Sequence, residues 1–596
     1  MFQSFDATSS PDQGPPRLSL LREAMGRAGV DAFIIPRADA YQGEYVAPCD
    51  DRLAWLTGFT GSAGFAVVLQ DRAGIFVDGR YRVQVRAQVA TDHFTPVNWP
   101  ETKLTDWLSE NLSSNSVVGF DPWLHTRSEI KTLEDAGHVL RPIDNLVDAV
   151  WTDRPPAPTG SISKYPIEYA GQSSEEKRAA IAETLTKAGQ KAAILTLPDS
   201  VSWLLNIRGQ DIPRNPVVQA FAILHDTGSV DLFTDPAKAV EVQGDLGKDV
   251  TIHTPEALVD SLARLAGPVR VDPKSAPHAI GLELGKAGIQ IKWQDDPCLL
   301  PKARKTAAEI AATTQAHLRD GAAMVEFLSW LDARAPKGGL TEIDVVTSLE
   351  GFRRATNMLR DISFDTICGA GPNGAIVHYR VTRQTNRTIV PGDLLLVDSG
   401  GQYLDGTTDI TRTVTTGTPD ADQIAAFTRV LQGMIAISRA RWPRGLAGRD
   451  LDPLARAPLW MAGQDFDHGT GHGVGVFLSV HEGPQRLSRA GDVPLEPGMI
   501  LSNEPGYYRE DAFGIRIENL VTVIEAPALP GGDDRSQLAF ETLTWVPIDT
   551  RLVDTAALAP GDRDWLNSYH ADVLDKIGPH LSDSARDWLI AATRAI

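Results

Sequence analysis

Cysteine is nearly absent. The 596 residues hold three, Cys49, Cys298 and Cys368, far apart and odd in number, with no Cys-x-x-Cys pair. That excludes a disulfide framework and a thiolate zinc site, and it fits a reducing compartment. The opening stretch, MFQSFDATSSPDQGPP, lacks the basic segment followed by an apolar one that marks a leader. No run approaches the roughly 18 apolar residues that span a bilayer. Cationic side chains are also scarce: 57 Lys and Arg stand against 77 Asp and Glu, a net charge of −20. Such a balance argues against nucleic acid or an anionic membrane as a main partner. The expectation is a cytoplasmic protein that engages neither.

What is present is an ordinary globular composition, 42% hydrophobic and 22% charged, on a chain too long for one core. Two segments resemble each other. DAFII, DDRLAWLTGFTGS and FAVVLQDRAGIFVDGRY (Asp31–Tyr81) are echoed by AAILTLPDSVSWLLNIRGQ and FAILHDTGSVDLFTDPAK (Ala192–Lys238). In each, a β-rich run precedes a Trp-Leu turn (Trp55-Leu56, Trp203-Leu204) and a hairpin-like pair of apolar runs. The copies lie about one domain apart, which predicts tandem α/β domains. Pro-rich DRPPAPTG (Asp153–Gly160) ends the first, and Pro297–Lys305 ends the second. The expected division is 1–155, 156–305 and 306–596.

Thr306 opens T-A-A-E, a capping box with Glu309, and predicts a long helix with the stripe Ile310, Thr314, Leu318, Gly321, Val325, Leu328, Leu331. Pro336-Lys337-Gly338-Gly339 stops it, and a second helix starts near Thr341 with Val345, Leu349 and Phe352 on one face. From Ser363 onward the pattern reads as strands and turns. Five residues there stand out. Asp398 ends the apolar run Leu394–Val397; Leu404-Asp405-Gly406 turns the chain back; Asp409 leads the run Ile410–Val414. An antiparallel pair of that kind puts Asp398 and Asp409 side by side. His472 lies in the glycine-laced HGTGHGVG, Glu504 ends a strand before Pro505-Gly506, and Glu518 shares a strand face with Arg516 and Leu520. Carboxylates in apolar strands are costly alone and repel when packed together. Two divalent cations resolve both difficulties. An oxygen-rich, thiolate-free set with one imidazole suits Mn²⁺, Co²⁺ or Zn²⁺ rather than a structural zinc, and of these Mn²⁺ is the expected metal.

The strings DSGGQYLDGTTDITRT (Asp398–Thr413), HGTGHGVGVFLSVHEGP (His468–Pro484) and NEPGYYREDAFGIRIEN (Asn503–Asn519) resemble those of the pita-bread metallopeptidases. With EYVAPCDDRLAWLTGFTGSAG, WLLNIRGQDIPRNPV, LTWVPIDTRLVD and DWLNSYH, the likeness extends from about residue 15 to 590 and points to aminopeptidase P (Xaa-Pro aminopeptidase) of the three-domain, cytosolic type. The resemblance implies an α+β, α/β multidomain chain. Two creatinase-like domains would precede a pita-bread catalytic domain with a C-terminal extension. It implies hydrolysis of the N-terminal Xaa-Pro bond by a metal-bridging hydroxide. Asp398 would hold the first metal, Asp409 and Glu518 would bridge, and His472 and Glu504 would hold the second, with Glu504 also the proton acceptor. His378 would face substrate, His481 would stabilise the oxyanion, and His468 would line the proline pocket. Arg516 and Tyr508 would brace the metal carboxylates. It further implies peptides with proline second as substrates, and a homodimer, with the N-terminal domains helping to form both the substrate entrance and the dimer interface. The departures from the family strings, Gly401, Leu404 and Ser502-Asn503, fall on no ligand position.

A prolidase, with the same metal site but free dipeptides as substrates, is the nearest alternative. The tandem N-terminal domains and the step from His472 to His481 favour aminopeptidase P. Methionine aminopeptidase lacks the two leading domains, and a peptide-binding pseudo-enzyme or a metal-free creatinase-like hydrolase would not keep all five ligands. Selection of proline itself rests on the resemblance alone.

Overall fold

The runs rich in β-branched and aromatic residues in the first 300 residues form strands, and the computed structural model, which describes residues 1–596, shows how they are ordered. The first copy contributes Ala32–Pro36 (β1), Phe65–Leu69 (β2), Ala73–Val77 (β3), Thr95–Asn98 (β4), Val117–Phe120 (β5) and Val139–Pro142 (β6). They form one sheet in the order β4-β3-β2-β1-β5-β6. The second contributes Ala192–Leu195 (β7), Phe221–His225 (β8), Val230–Phe233 (β9), Val250–His253 (β10), Val269–Val271 (β11) and Ile291–Trp293 (β12), in the order β10-β9-β8-β7-β11-β12. The pairings repeat: β1-β2-β3 and β7-β8-β9 are antiparallel, while the outer strands join in parallel. The duplicated α/β architecture is therefore present in full.

The Trp-Leu motif is not a turn, contrary to expectation. Trp55-Leu56 lies in the helix Arg52–Thr57 (α1), and Trp203-Leu204 in Pro198–Leu205 (α2). Leu53 with Leu56, and Val201 with Leu204, recur at helical spacing and are fully buried. The reversal comes just after, at left-handed Gly58 (φ 88°) and Asn206 (φ 49°).

Residues Thr8–Lys302 form one unit, and Met1–Ala7 with Ala303–Ile596 form the other. In the latter, Ala307–Arg334 (α3) starts at a capping box between Thr306 and Glu309, and Glu342–Ala355 (α4) starts at Thr341, both as expected. The buried face of α3 is wider than the expected stripe. Ile310, Thr314 and Leu318 are only half-buried, whereas Thr313, Ala316, His317, Asp320 and Met324 are covered. The helix packs on several elements at once, so no single apolar stripe describes it.

Strands Leu359–Ile362 (β13), Ile367–Ala370 (β14), Leu394–Ser399 (β15), Gly401–Tyr403 (β16), Gly406–Thr407 (β17) and Ile410–Thr415 (β18) build two small sheets, β13-β16-β17 and β14-β15-β18. A six-stranded sheet has the order β19-β26-β25-β22-β20-β21. Its strands are Arg441–Pro443 (β19), Gly471–Gly473 (β20), Glu482–Leu487 (β21), Ile500–Asn503 (β22), Asn519–Glu525 (β25) and Gln537–Thr542 (β26). Gly506–Arg509 (β23) and Phe513–Arg516 (β24) make a separate ribbon. The expectation of strands and turns alone after Ser363 fails at four helices, Ala421–Ser438 (α5), Gly448–Trp460 (α6), Pro560–Ile577 (α7) and Asp583–Ala592 (α8). In α5, Phe427, Val430, Leu431, Met434 and Ile435 are all buried at three- and four-residue steps, a helical period.

Helices α5 and α6 touch at Gly433, where a Cβ would lie 2.1 Å from the Ala455 carbonyl oxygen. Gly433→Ala is expected to cost about 1–3 kcal/mol through overpacking. Denaturant unfolding checks this, and an unchanged midpoint would contradict the close packing.

Candidate metal centre

Each of the five singled-out residues is placed by a different stretch of chain. Asp398 lies inside β15, paired in register with Ile367 and Thr411. Asp409 is not in a strand. The inner hairpin β16-β17 belongs to another sheet, so Thr408-Asp409 is the crossing segment that leads into β18. The expected pairing of Asp398 with Asp409 is thus replaced by Asp398 with Thr411. His472 is central in β20, and Glu504 follows β22, with its backbone N–H donating to Thr470 O at 2.8 Å. Glu518 does not share a strand with Arg516 and Leu520. The chain leaves β24 at Arg516, crosses Ile517-Glu518 and enters β25 at Asn519, because its two halves pair with different neighbours, β23 and β22.

These breaks aim the acids at one another. Ligand atoms of Asp409, His472 and Glu518 all lie within 4.8 Å of one another. His472 Nε2 stands 3.5 Å from Asp409 Oδ2 and 3.4 Å from Glu504 Oε1. Its Nδ1 lies 2.9 Å from Gly473 O, which assigns a proton to Nδ1 and turns the Nε2 edge toward the acids. Asp398 joins through Arg516, whose Nη2 donates to its Oδ2 at 2.6 Å, while Arg516 Nε donates to Thr411 Oγ1 at 3.2 Å. Thr411 Oγ1 in turn donates to Glu518 Oε2 at 2.7 Å.

Asp398 Oδ1, Asp409 Oδ1 and Glu518 Oε1 are buried and accept no hydrogen bond. Three orphaned carboxylate oxygens in one cluster carry a large desolvation cost. Cations would supply the missing partners, and the donor set fits them. Burial, followed by repulsion from Asp409 and Glu504, lifts the Asp398 carboxyl to about 7 despite Arg516. Burial and the other three acids hold Glu518 well above the usual range, and burial also raises Glu504. Burial alone would depress His472, but Asp409 and Glu504 carry it up to about 9.

His481, His468 and Tyr508 connect to this cluster. The His481 ring centroid is 4.3 Å from that of His472, the two planes steeply inclined. His468 Nε2 accepts from Tyr508 Oη at 2.9 Å, and Tyr508 Oη accepts from Arg516 Nη1, a relay that ends on Asp398. His378 lies in the turn after Gly371–Ala375, not in a strand. Its neighbour Val377 offers a carbonyl to Arg516 Nη2 at 3.4 Å.

Three groups escape a reading of the sequence. Ser502, a departure from the family strings, does touch the cluster: it donates to Glu504 Oε1 at 3.0 Å and accepts from His472 N at 2.9 Å. Thr411 links Arg516 to Glu518, as described. Arg412, buried, donates to the carbonyls of Thr411, Glu518, Val546 and Pro547, to Asn519 Oδ1 and to Tyr569 Oη.

Known proteins resemble this chain throughout its length. Residues 311–525 match metallopeptidase family M24 and 536–596 its C-terminal region. Residues 17–150 and 153–309 each match the creatinase/prolidase N-terminal domain. Aminopeptidase P2 of Arabidopsis thaliana is 39% identical over 97% of this chain and 88% of its own. This chain belongs to the aminopeptidase P branch of metallopeptidase family M24. Within that branch, a probable Xaa-Pro aminopeptidase P of Coccidioides posadasii is 38% identical over 99% of this chain and 95% of its own. The crystal structure of X-prolyl aminopeptidase from Caenorhabditis elegans, described as a cytosolic enzyme with a di-nuclear active site, superposes with TM-score 0.92. It is 34% identical and covers 98% of this chain and 99% of that one. The aminopeptidase P fold, two creatinase-type domains followed by a pita-bread domain, is thus the fold of this chain.

His472, carried up to about 9, keeps its proton at neutral pH, and Asp398, near 7, keeps part of one, so a bound cation must displace them. Metal uptake at pH 7 should therefore release at least about one proton per chain, and affinity should rise with pH between about 7 and 9. Titration calorimetry in buffers of different ionisation enthalpy measures this. Proton-neutral, pH-independent binding would contradict the assignment.

Proposed function

We propose that the protein is a dinuclear metal aminopeptidase that hydrolyses the N-terminal Xaa-Pro bond of peptides. The observation that carries this reading is the set of orphaned oxygens on Asp398, Asp409 and Glu518, beside the Nε2 edge of His472. Asp398 would hold one metal, His472 and Glu504 the other, and Asp409 and Glu518 both. When bound, the pair supplies a shared water of lowered pKa, the source of a bridging hydroxide, and polarises the scissile carbonyl.

The chain's own residues do the rest. Glu504 takes the water's proton, while Ser502, which donates to its Oε1, fixes its orientation. His481, against His472, donates to the developing oxyanion, and His378 contacts the substrate. His468 lines the proline side through Tyr508, and Arg516 steadies Asp398. A prolyl bond has no N–H, so the site needs no acceptor there and can close on the ring.

The oxygen-rich donor set favours Mn²⁺ over Zn²⁺ or Co²⁺. The description of the Caenorhabditis elegans enzyme as cytosolic supports a cytoplasmic location, and the net charge of −20 disfavours nucleic acid and anionic membrane as partners. A homodimer with an interface on the N-terminal domains is part of the same reading. The chain divides in this reading at 1–155, 156–305 and 306–596.

Glu504→Gln should preserve the melting curve and lower kcat on a Gly-Pro-x peptide by about 10²–10⁴. Turnover at the wild-type rate would remove Glu504 from its role. Chelation should abolish activity, with Mn²⁺ restoring it best; metal-free protein that turns over would refute the mechanism. The prolidase alternative is decided by a time course on Arg-Pro-Pro and Arg-Pro. Cleavage of the tripeptide alone supports the aminopeptidase, and cleavage of the dipeptide alone supports the prolidase.

A further inference from the structure

Glu342 is the first residue of α4, and its side chain is completely buried. Its carboxylate accepts from Ala370 N at 2.8 Å, Arg387 N at 2.9 Å, Tyr379 Oη at 3.0 Å and Asn373 Nδ2 at 3.0 and 3.1 Å. All four donors are neutral. A buried carboxylate without a cation is costly, and the N-terminus of α4 offsets only part of that cost. Four donors converging from separate points of one chain segment mark a site built for an acceptor-only group. Glutamine would turn an NH₂ toward one of them.

The segment so gathered, Ala370 to Arg387, carries His378 one residue before Tyr379. Its other side lies on the metal-ligand network. Val377 O accepts from Arg516 Nη2, the atom that also holds Asp398. The Gly371–Ala375 turn rests directly on β24, the strand that carries Arg516: a Cβ at Gly514 would lie 1.7 Å from Gly374 O. Glu342 therefore fastens the far edge of a loop whose near edge is set by Arg516.

We propose that Glu342 is a positioning residue for the reaction: its carboxylate clasps the Ala370–Arg387 loop and so fixes where His378 meets the substrate. This rests on the substrate-side reading of His378 given above. A merely structural glutamate would lower the melting temperature and cost the same whatever stands at position 378. A positioning one acts only through His378.

The test is a double-mutant cycle on kcat/KM for Arg-Pro-Pro with Glu342→Gln, His378→Ala and the pair, alongside metal content by mass spectrometry. Each single variant should fall at least about tenfold with metal content at the wild-type level, and the pair should be within about twofold of the worse single. Tyr379→Phe, which removes one donor but keeps the ring, should show the same coupling at a smaller loss if Glu342→Gln folds poorly. Wild-type kcat/KM in Glu342→Gln, or losses that multiply in the pair, overturns the proposal while His378 keeps its role. A silent His378→Ala overturns both.

Discussion

Four carboxylates that share one buried region would repel each other, and Arg516, Thr411, Ser502 and His472 hold Asp398, Asp409, Glu504 and Glu518 together despite this. Burial makes Asp398, Glu504 and Glu518 poor anions, and proximity makes them worse. The fold supplies partial compensation in Arg516, which pairs with Asp398, and in the Thr411 hydroxyl, which serves Glu518. It leaves three oxygens unpartnered, a deficit that cations would satisfy.

The irregularities of the sheets follow from this constraint. Continuous strands would alternate their side chains and send Asp409 and Glu518 to faces set by register alone. Instead the chain leaves the ladder at Thr408-Asp409 and at Ile517-Glu518. At the first break Ser363 Oγ donates to Thr408 O, and at the second Arg412 donates to Glu518 O while also holding the carbonyls of Thr411, Val546 and Pro547 and the hydroxyl of Tyr569. Through Arg412 the C-terminal segment is tied to the backbone of Glu518. Gly471 has a similar duty, since a Cβ there would lie 1.9 Å from Ser502 O and would separate His472 from Glu504.

Much of this was legible in the sequence where the cue is local. The duplicated domains showed because a Trp-Leu pair and a hairpin recur in the same order, and the start of α3 showed because Thr306 and Glu309 form a capping box. The four acids and one imidazole were visible as polar groups in apolar or glycine-rich runs. Register was not. Whether Asp398 faces Asp409 or Thr411 depends on β16-β17 joining a different sheet, which no neighbouring residue announces. Ser502, Arg412 and Glu342 were also hidden, since a serine in a strand, an arginine in an alternating run and a glutamate in a first helical turn each have ordinary surface readings. Their partners lie mostly far off in sequence, and only tertiary packing brings them close. The helices after Ser363 escaped a strand-and-turn reading because turn-rich stretches flank them.

The central claim, that these acids converge to hold two cations, is tested most directly by anomalous diffraction at the manganese edge from crystals of the Mn²⁺-loaded protein. Two peaks about 3.5–4 Å apart, bounded by Asp398, Asp409, His472, Glu504 and Glu518, are the predicted result. A single peak, or density that leaves the Asp398 and Glu518 oxygens without a metal, would contradict it.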